Sequence, residues 1–134
     1  MNELIYPEES YAILGACFDV YNDKGSGFLE PIYHDCLAIE LGIRGIPFLH
    51  EPILALSYKG VAIKHTYSPD FSCWGKIILE LKACDKLADE HVAQTLNYLN
   101  ASGYTLGLLI NFGHFPKLEY RRIANSRMHS RPLE

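Results

Sequence analysis

The chain has 134 residues, of which 49% are hydrophobic, and this length favours a single domain over residues 1–134 with a sizeable core. No apolar run is long enough to span a membrane, and residues 1–7 lack the basic start and apolar core of a signal peptide. The net charge of −4 argues against an autonomous nucleic-acid binder, although the basic stretch of residues 117–134 can supply a local patch.

Two helices are predicted in the first third of the chain. Residues 8–23 carry an apolar stripe at helical spacing, and a loop rich in turn formers follows at residues 22–27. Residues 29–44 carry two merging apolar faces, with Pro31 tolerated in the first turn and Gly45 ending the helix. We therefore expect the second helix to pack on both sides.

The hydrophobic period then changes from helical to alternating. Residues 53–58 and 61–67 are predicted to form a hairpin around the Lys59-Gly60 turn. Residues 68–82 are predicted to form a second hairpin, whose two strands are joined at Trp74-Gly75.

The last third of the chain is predicted to add one helix and two strands. Residues 87–102 form the helix, the apolar run 105–112 is typical of a strand buried on both faces, and residues 117–123 form an alternating strand. We expect the tail from Ala124 to be frayed. A helical crossover makes a strand parallel to an earlier one. The sequence therefore predicts an α/β fold, a mixed central β-sheet flanked by helices in the order ααββββαββ.

The cysteines indicate a reducing environment. The four residues form no C-x-x-C pair, show no zinc-type spacing and lie inside predicted helices and strands: Cys17, Cys36, Cys73 and Cys84. A reduced cysteine in such a position behaves as a small core residue. We therefore expect a cytoplasmic location.

Charged residues on the second predicted hairpin are candidates for a metal site. Glu80 and Lys82 point to one face of an otherwise apolar strand, and an unpaired buried charge is costly. A magnesium ion bound by Asp70 and Glu80, with the Leu81 carbonyl as a further ligand, would compensate these charges. Lys82 beside it could polarise a water or stabilise charge on a phosphate, as phosphodiester hydrolysis requires. The spacing alone favours the alternative, a cross-strand ion pair on a solvated sheet face.

Polar side chains on two predicted helices are further candidates. His91, Gln94 and Tyr98 share one face of the third helix, where the alternative is a solvated stripe. Glu30 lies in the first turn of the second helix, where an acid also complements the helix dipole. Neither set identifies a function by itself.

Several short motifs together resemble a known family. Residues 27–33 read GFLEPIY, and residues 80–83 (ELKA), 94–99 (QTLNYL) and 108–113 (LLINFG) follow in order. This pattern is similar to the GxxExxY protein family, over roughly residues 10 to 124. That family is grouped with the PD-(D/E)xK nuclease superfamily, and the Gln94-x-x-x-Tyr98 spacing resembles a motif of its RecB-like branch. A histidine often stands in the family where this chain has Tyr21.

The resemblance implies a restriction-endonuclease-like core and a role for each matching residue. Asp70 and Glu80 would be metal ligands, with Lys82 as the catalytic lysine. Glu30 would correspond to the helical glutamate that often completes such sites. Gln94 would orient a water or a phosphate, and Tyr98 would support it.

Two main functions are open at this point. One is a nuclease dependent on Mg²⁺, or on Mn²⁺, that hydrolyses phosphodiester bonds, with DNA favoured over RNA. The other is a catalytically silent nucleic-acid-binding or accessory module that retains the nuclease fold. An enzyme that uses the same metal site on a small molecule is a third. The small size allows a homodimer that assembles a longer groove from two subunits.

Overall fold

The computed structural model describes residues 5–125. Three helices are formed by Pro7–Lys24 (α1), Glu30–Ile43 (α2) and Asp89–Ser102 (α3). The strands are Phe48–His50 (β1), Leu54–Tyr58 (β2), Val61–Tyr67 (β3), Phe71–Cys73 (β4), Ile77–Lys82 (β5), Leu106–Asn111 (β6) and Glu119–Ala124 (β7).

Five of the strands form one mixed sheet in the order β1-β4-β5-β6-β7. β5 and β6 are parallel and are linked through α3, whereas the other neighbouring pairs are antiparallel. The helical crossover and the parallel pair confirm the predicted α/β fold. Strands β2 and β3 form a separate two-stranded sheet.

The sheet divides the core into two layers. Ile77, Leu79 and Leu81 of β5 point into a large cluster with α1 and α2, while Ile78 points into a second cluster with α3 and the β2–β3 hairpin. On β6, Gly107 allows α3 to approach closely, because an added Cβ would lie 3.2 Å from Thr95 Cγ2. The apolar cluster on the α3 side of the sheet is much smaller than the one on the side of α1 and α2.

The structure adds one strand to the predicted order. β1 pairs with β4 over only three residues, from Phe48 opposite Cys73 to His50 opposite Phe71. A strand this short has no measurable alternation, so its extended backbone depends on pairing with a distant segment. The observed order is therefore ααβββββαββ rather than ααββββαββ.

The β4–β5 hairpin brings two carboxylates to its open end. Trp74 and Gly75 both have positive φ, at 55° and 65°, in the three-residue connection between the paired residues Cys73 and Ile77, and this backbone handedness matches strand twist. The antiparallel register ends with Phe71 opposite Leu79, and Asp70 and Glu80 are the next residues at the open end of the hairpin, close enough for the charge of Asp70 to act on Glu80. The turn thus sets which residues of the two strands meet.

Part of the predicted basic stretch is used to hold the fold together. Arg122 of β7 donates to Ser10 Oγ and to the Ile5 carbonyl, both at 2.6 Å. Arg121 is exposed, whereas Arg127, Arg131 and the predicted frayed tail beyond Asn125 lie outside the described residues. The four cysteines are free, and none of the helices described is long and apolar enough to span a membrane.

Candidate active site

Glu80 and Lys82 line a cleft of about 260 Å³ between the carboxyl end of β5 and α3. Both side chains point to the α3 face because they alternate with the buried Leu79 and Leu81. Gln94 and Tyr98 of α3 line the same cleft. The structure therefore brings together four of the residues predicted from the sequence.

Glu80 is held in an environment that disfavours its charge. Burial raises its pKa to about 7, and the nearby charge of Asp70 acts in the same direction. A hydrogen bond from Tyr67 and the charge of Lys82 partly oppose the increase in this pKa. The ionised form of Glu80 is therefore less favourable near neutral pH than that of a free glutamate, and a bound cation would favour it.

Asp70 connects the two strands just before the first residue of β4. Its Oδ2 accepts a hydrogen bond of 2.7 Å from the backbone N–H of Leu81, between Glu80 and Lys82. The Lys82 carbonyl accepts from Phe112 on the β6 side. Because successive carbonyls of a strand point to opposite sides, the Leu81 carbonyl is directed towards the side on which Asp70 lies.

Glu30 does not line the cleft with Glu80 and Lys82. It lies with Asp70 and His34 in a neighbouring depression of about 270 Å³. His34 Nε2 is 3.8 Å from Glu30 Oε1 and 3.6 Å from Asp70 Oδ2. The candidate site therefore consists of two hollows: Asp70 lines the one with Glu30 and not the one with Lys82, although its charge acts on Glu80.

Tyr67 is a site residue that the sequence did not reveal. It is the last residue of β3, it is buried, and its hydroxyl donates a hydrogen bond to Glu80 Oε2. Its ring stacks on Tyr98, with centroids 4.1 Å apart and planes within 7°. Burial and the neighbouring Glu80 charge raise the pKa of Tyr67, so its hydroxyl remains a donor. In the sequence, the only indication that Tyr67 belongs near the candidate site is its position three residues before Asp70.

Two other predicted positions have structural roles. His91 lies at the start of α3, where its Nδ1 accepts from the backbone N–H of Ala88 at 3.0 Å and caps the helix. Tyr21, which occupies the position where the resembling family often has histidine, is buried and donates to the His114 carbonyl at 2.6 Å. Neither residue lines the cleft described above.

The fold and the cleft define an α/β protein with an acidic, lysine-containing site at the end of its central hairpin. The family model of the PD-(D/E)XK nuclease superfamily matches residues 7–123. The chain therefore belongs to the PD-(D/E)XK nuclease superfamily. No curated protein sequence matches it significantly.

Two solved structures are similar in fold. The crystal structure of SSO0001 aligns with a TM-score of 0.54 and 18% identity, over 78% of this chain and 52% of that one. An alkaline exonuclease from Laribacter hongkongensis aligns with a TM-score of 0.52 and 11% identity, over 96% of this chain and 74% of that one. This chain thus spans about half the length of the first protein, and at these identities the likeness concerns the fold.

Proposed function

We propose that this protein is a nuclease that hydrolyses phosphodiester bonds and depends on Mg²⁺, with Mn²⁺ as a substitute. The observation that carries the proposal is the hairpin end, where Asp70 lies close enough to act on the charge of Glu80 and Lys82 points into the same cleft as Glu80. Membership of a nuclease superfamily supports this reading.

The side chains at the hairpin end fit a hard divalent cation. Asp70, Glu80 and the Leu81 carbonyl offer oxygen atoms, which Mg²⁺ prefers as ligands. Burial and the Asp70 charge both disfavour ionised Glu80, so a bound cation offsets an electrostatic cost that the protein otherwise bears. When bound, such a cation supplies Lewis-acid stabilisation of charge on a phosphoryl oxygen.

The remaining residues would position and stabilise the reacting groups. We assign Lys82 to the phosphoryl oxygen or to the attacking water, where a fixed positive charge stabilises the transition state. Gln94 would orient that water or a phosphate, because its amide both donates and accepts hydrogen bonds.

Three side chains would support this arrangement from the sides of the site. Tyr98 would hold Tyr67 by stacking, and Tyr67 would hold the carboxylate of Glu80 through its hydrogen bond. Glu30 would act from the neighbouring hollow, through His34 and Asp70.

The sequence motifs support a narrower assignment within the superfamily. We assign the chain to the GxxExxY family and to the RecB-like branch, on the GFLEPIY segment and the Gln94–Tyr98 spacing. This assignment favours DNA over RNA as the substrate and a cytoplasmic location, with which the four free cysteines agree. A homodimer would lengthen the groove that such a small domain offers.

The proposal is tested by a cleavage assay on single- and double-stranded DNA and RNA, with Mg²⁺, with Mn²⁺ and with EDTA. We expect metal-dependent cleavage that falls by at least about 100-fold in Lys82→Met and in Glu80→Gln. Lys24→Met is the matched control, because Lys24 is a partly exposed lysine at the end of α1, on the opposite side of the sheet from α3.

Two outcomes would contradict the proposal. Cleavage that persists in both site variants would place the chemistry elsewhere. Tight metal and nucleic-acid binding by the wild type without cleavage of any substrate would favour a binding or accessory module that retains the fold.

A further inference from the structure

Two histidine rings face each other beside the candidate active site. Nδ1 of His34, on α2, lies 2.9 Å from Nε2 of His50, the last residue of β1. The ring centroids are 5.2 Å apart, with the planes at 70°. Glu51 follows His50, and one ligand atom from each of these three residues lies within 4.8 Å of the others.

Packing and one backbone hydrogen bond hold these residues in place. His34 is buried, and both its ring and that of His50 lie against Phe71, with centroid distances of 5.7 and 4.7 Å. The N–H of Glu51 donates to the Asp70 carbonyl at 2.9 Å. His50 and Glu51 are exposed, so the group has one buried ligand atom and two that are open to solvent.

We propose that His34 Nδ1, His50 Nε2 and the Glu51 carboxylate form a second cation site, selective for Zn²⁺ over Mg²⁺. Two imidazoles and one carboxylate are a known donor set for zinc, whereas magnesium prefers oxygen ligands alone. This inference concerns residues that the nuclease proposal does not use as metal ligands, and it holds whether or not the protein cleaves nucleic acid.

The geometry requires only a small adjustment. Two nitrogens bound at about 2.0–2.1 Å to a tetrahedral ion lie roughly 3.3 Å apart. The two ring nitrogens at 2.9 Å therefore need to separate by a few tenths of an ångström. The exposed His50 side chain at the end of β1 can make that movement while the buried His34 stays in place.

The second nitrogen of His34 has its own partners. Nε2 faces Glu30 at 3.8 Å and Asp70 at 3.6 Å. A carboxylate beside one ring nitrogen favours a proton there, which leaves the other nitrogen as the ligand. His34 would thus separate two kinds of site, with two carboxylates on its Nε2 side and an imidazole together with the Glu51 carboxylate on its Nδ1 side.

A competing arrangement uses the same histidine differently. Glu30, His34 Nε2 and Asp70 also approach within 4.8 Å of one another. That set has a single nitrogen donor, and Asp70 Oδ2 already accepts from Leu81. The His50 arrangement offers two nitrogens instead, which suits zinc better.

The test is a titration of the full, EDTA-stripped chain with ZnCl₂, in competition with a chromophoric chelator and in the presence and absence of excess Mg²⁺. We expect one zinc ion per chain, undiminished by magnesium. Co²⁺ in place of Zn²⁺ should give the visible absorption of a low-coordinate site with nitrogen ligands. Both readouts are independent of nuclease activity.

Variants decide between the two arrangements. We expect His50→Gln and Glu51→Gln to weaken zinc binding by at least about tenfold, since even outer partners of such sites contribute that much. His65→Gln should leave binding unchanged, because His65 is an exposed histidine on β3 outside the group. Thermal melts of the metal-free variants would show that they remain folded.

Three results would overturn the proposal. The wild type could fail to bind zinc more tightly than His50→Gln does. Binding could be lost in Glu30→Gln and Asp70→Asn but retained in His50→Gln, which would assign the ion to the competing arrangement. Magnesium could displace zinc completely, which would mean that the two ions share the hairpin site.

Discussion

Glu80 is the residue at which folding and the proposed chemistry conflict most directly. Its carboxyl is largely enclosed, it lies near Asp70, and its pKa is raised to about 7. Tyr67 and Lys82 only partly compensate. A folded protein that disfavours the charge it is proposed to use should gain stability when that charge is removed or neutralised.

We therefore expect Glu80→Gln to stabilise the metal-free protein more at about pH 8 than at about pH 5. A raised pKa means that the folded wild type binds the proton more tightly than the unfolded chain, so its stability falls as pH rises from about 4.5 to about 7. Thermal melts of both proteins in EDTA measure the difference. An equal difference at both pH values would contradict the prediction.

Tyr67→Phe separates the hydrogen bond of this residue from its packing. The ring stack on Tyr98 remains, while the donor to Glu80 is lost. We expect a loss of about 1 kcal/mol in stability at neutral pH and a lower affinity for Mg²⁺, because the hydrogen bond favours the ionised carboxylate. Tyr98→Phe is the control, since it keeps both rings. Unchanged Mg²⁺ affinity in Tyr67→Phe would contradict this role.

At the scale of the elements, a buried amide connects the end of the central sheet to α3. Asn111, the last residue of β6, is fully buried and accepts from the N–H groups of Cys84 and Gly113, both at 3.0 Å. Its own amide donates to Glu119 Oε1, which also accepts from Leu87 just before α3. This network holds β6, β7 and the loop after β5 in fixed relation.

Glu119→Gln should destabilise the protein at neutral pH, by about 1 kcal/mol. Partial burial raises the pKa of Glu119, but the hydrogen bonds from Asn111 and Leu87 lower it more, so the net change is downward. A lowered pKa contributes stability that is present above about pH 4.5 and is lost as pH falls further. Denaturant titrations should show the two proteins converging in acid, and a gap that stays constant would contradict this account.

Gly113→Ala should be far more damaging than its size suggests. A Cβ there would lie 2.5 Å from the backbone nitrogen of Cys84 and 2.6 Å from the Ala83 carbonyl carbon. Because backbone atoms cannot rotate away, we expect a loss of roughly 2–4 kcal/mol or failure to fold. Gly42→Ala is the control, since nothing lies within 4 Å of its added Cβ.

The elements show what a sequence pattern can and cannot predict. The long helices, the β2–β3 and β4–β5 hairpins and the crossover through α3 were predictable, because each has its own periodicity or turn. β1 was not, since three residues have no pattern without their partner β4. Alternation placed Glu80 and Lys82 on one face correctly. The contacts of Tyr67 and His34 depend on how separate elements pack, which no local spacing encodes.

At the scale of the whole molecule, the two faces of the sheet differ in what covers them. One side is filled by α1 and α2 against a large apolar cluster, whereas the other holds α3, the β2–β3 hairpin and the cleft. The two arginines of β7 also lie on opposite faces of the sheet. Arg122 is bound to the start of α1, and Arg121 alternates onto the face that carries Ile123 and α3.

We therefore expect Arg121→Ala and Arg122→Ala to differ. If the cleft binds nucleic acid as proposed, Arg121→Ala should weaken binding and reduce the slope of log K against log salt by about 1. Arg122→Ala should instead lower the melting temperature, because one hydrogen bond to Ser10 of α1 and one to Ile5 just before α1 are lost. Fluorescence anisotropy over a range of salt concentrations, with melts alongside, measures both effects. Equal salt slopes in the two variants would contradict the assignment of nucleic-acid binding to Arg121 and of a structural role to Arg122.

The turn at Trp74-Gly75 has a consequence for how this protein can change over time. A substitution in the cleft changes one side chain, whereas the number of residues in the turn determines which residues of β4 and β5 lie opposite each other. One residue inserted there would shift the register, so that Asp70 met a former neighbour of Glu80 while every site residue remained in the sequence. If the proposed site is correct, the length of this loop at the other end of the hairpin is as much a requirement for it as the two carboxylates.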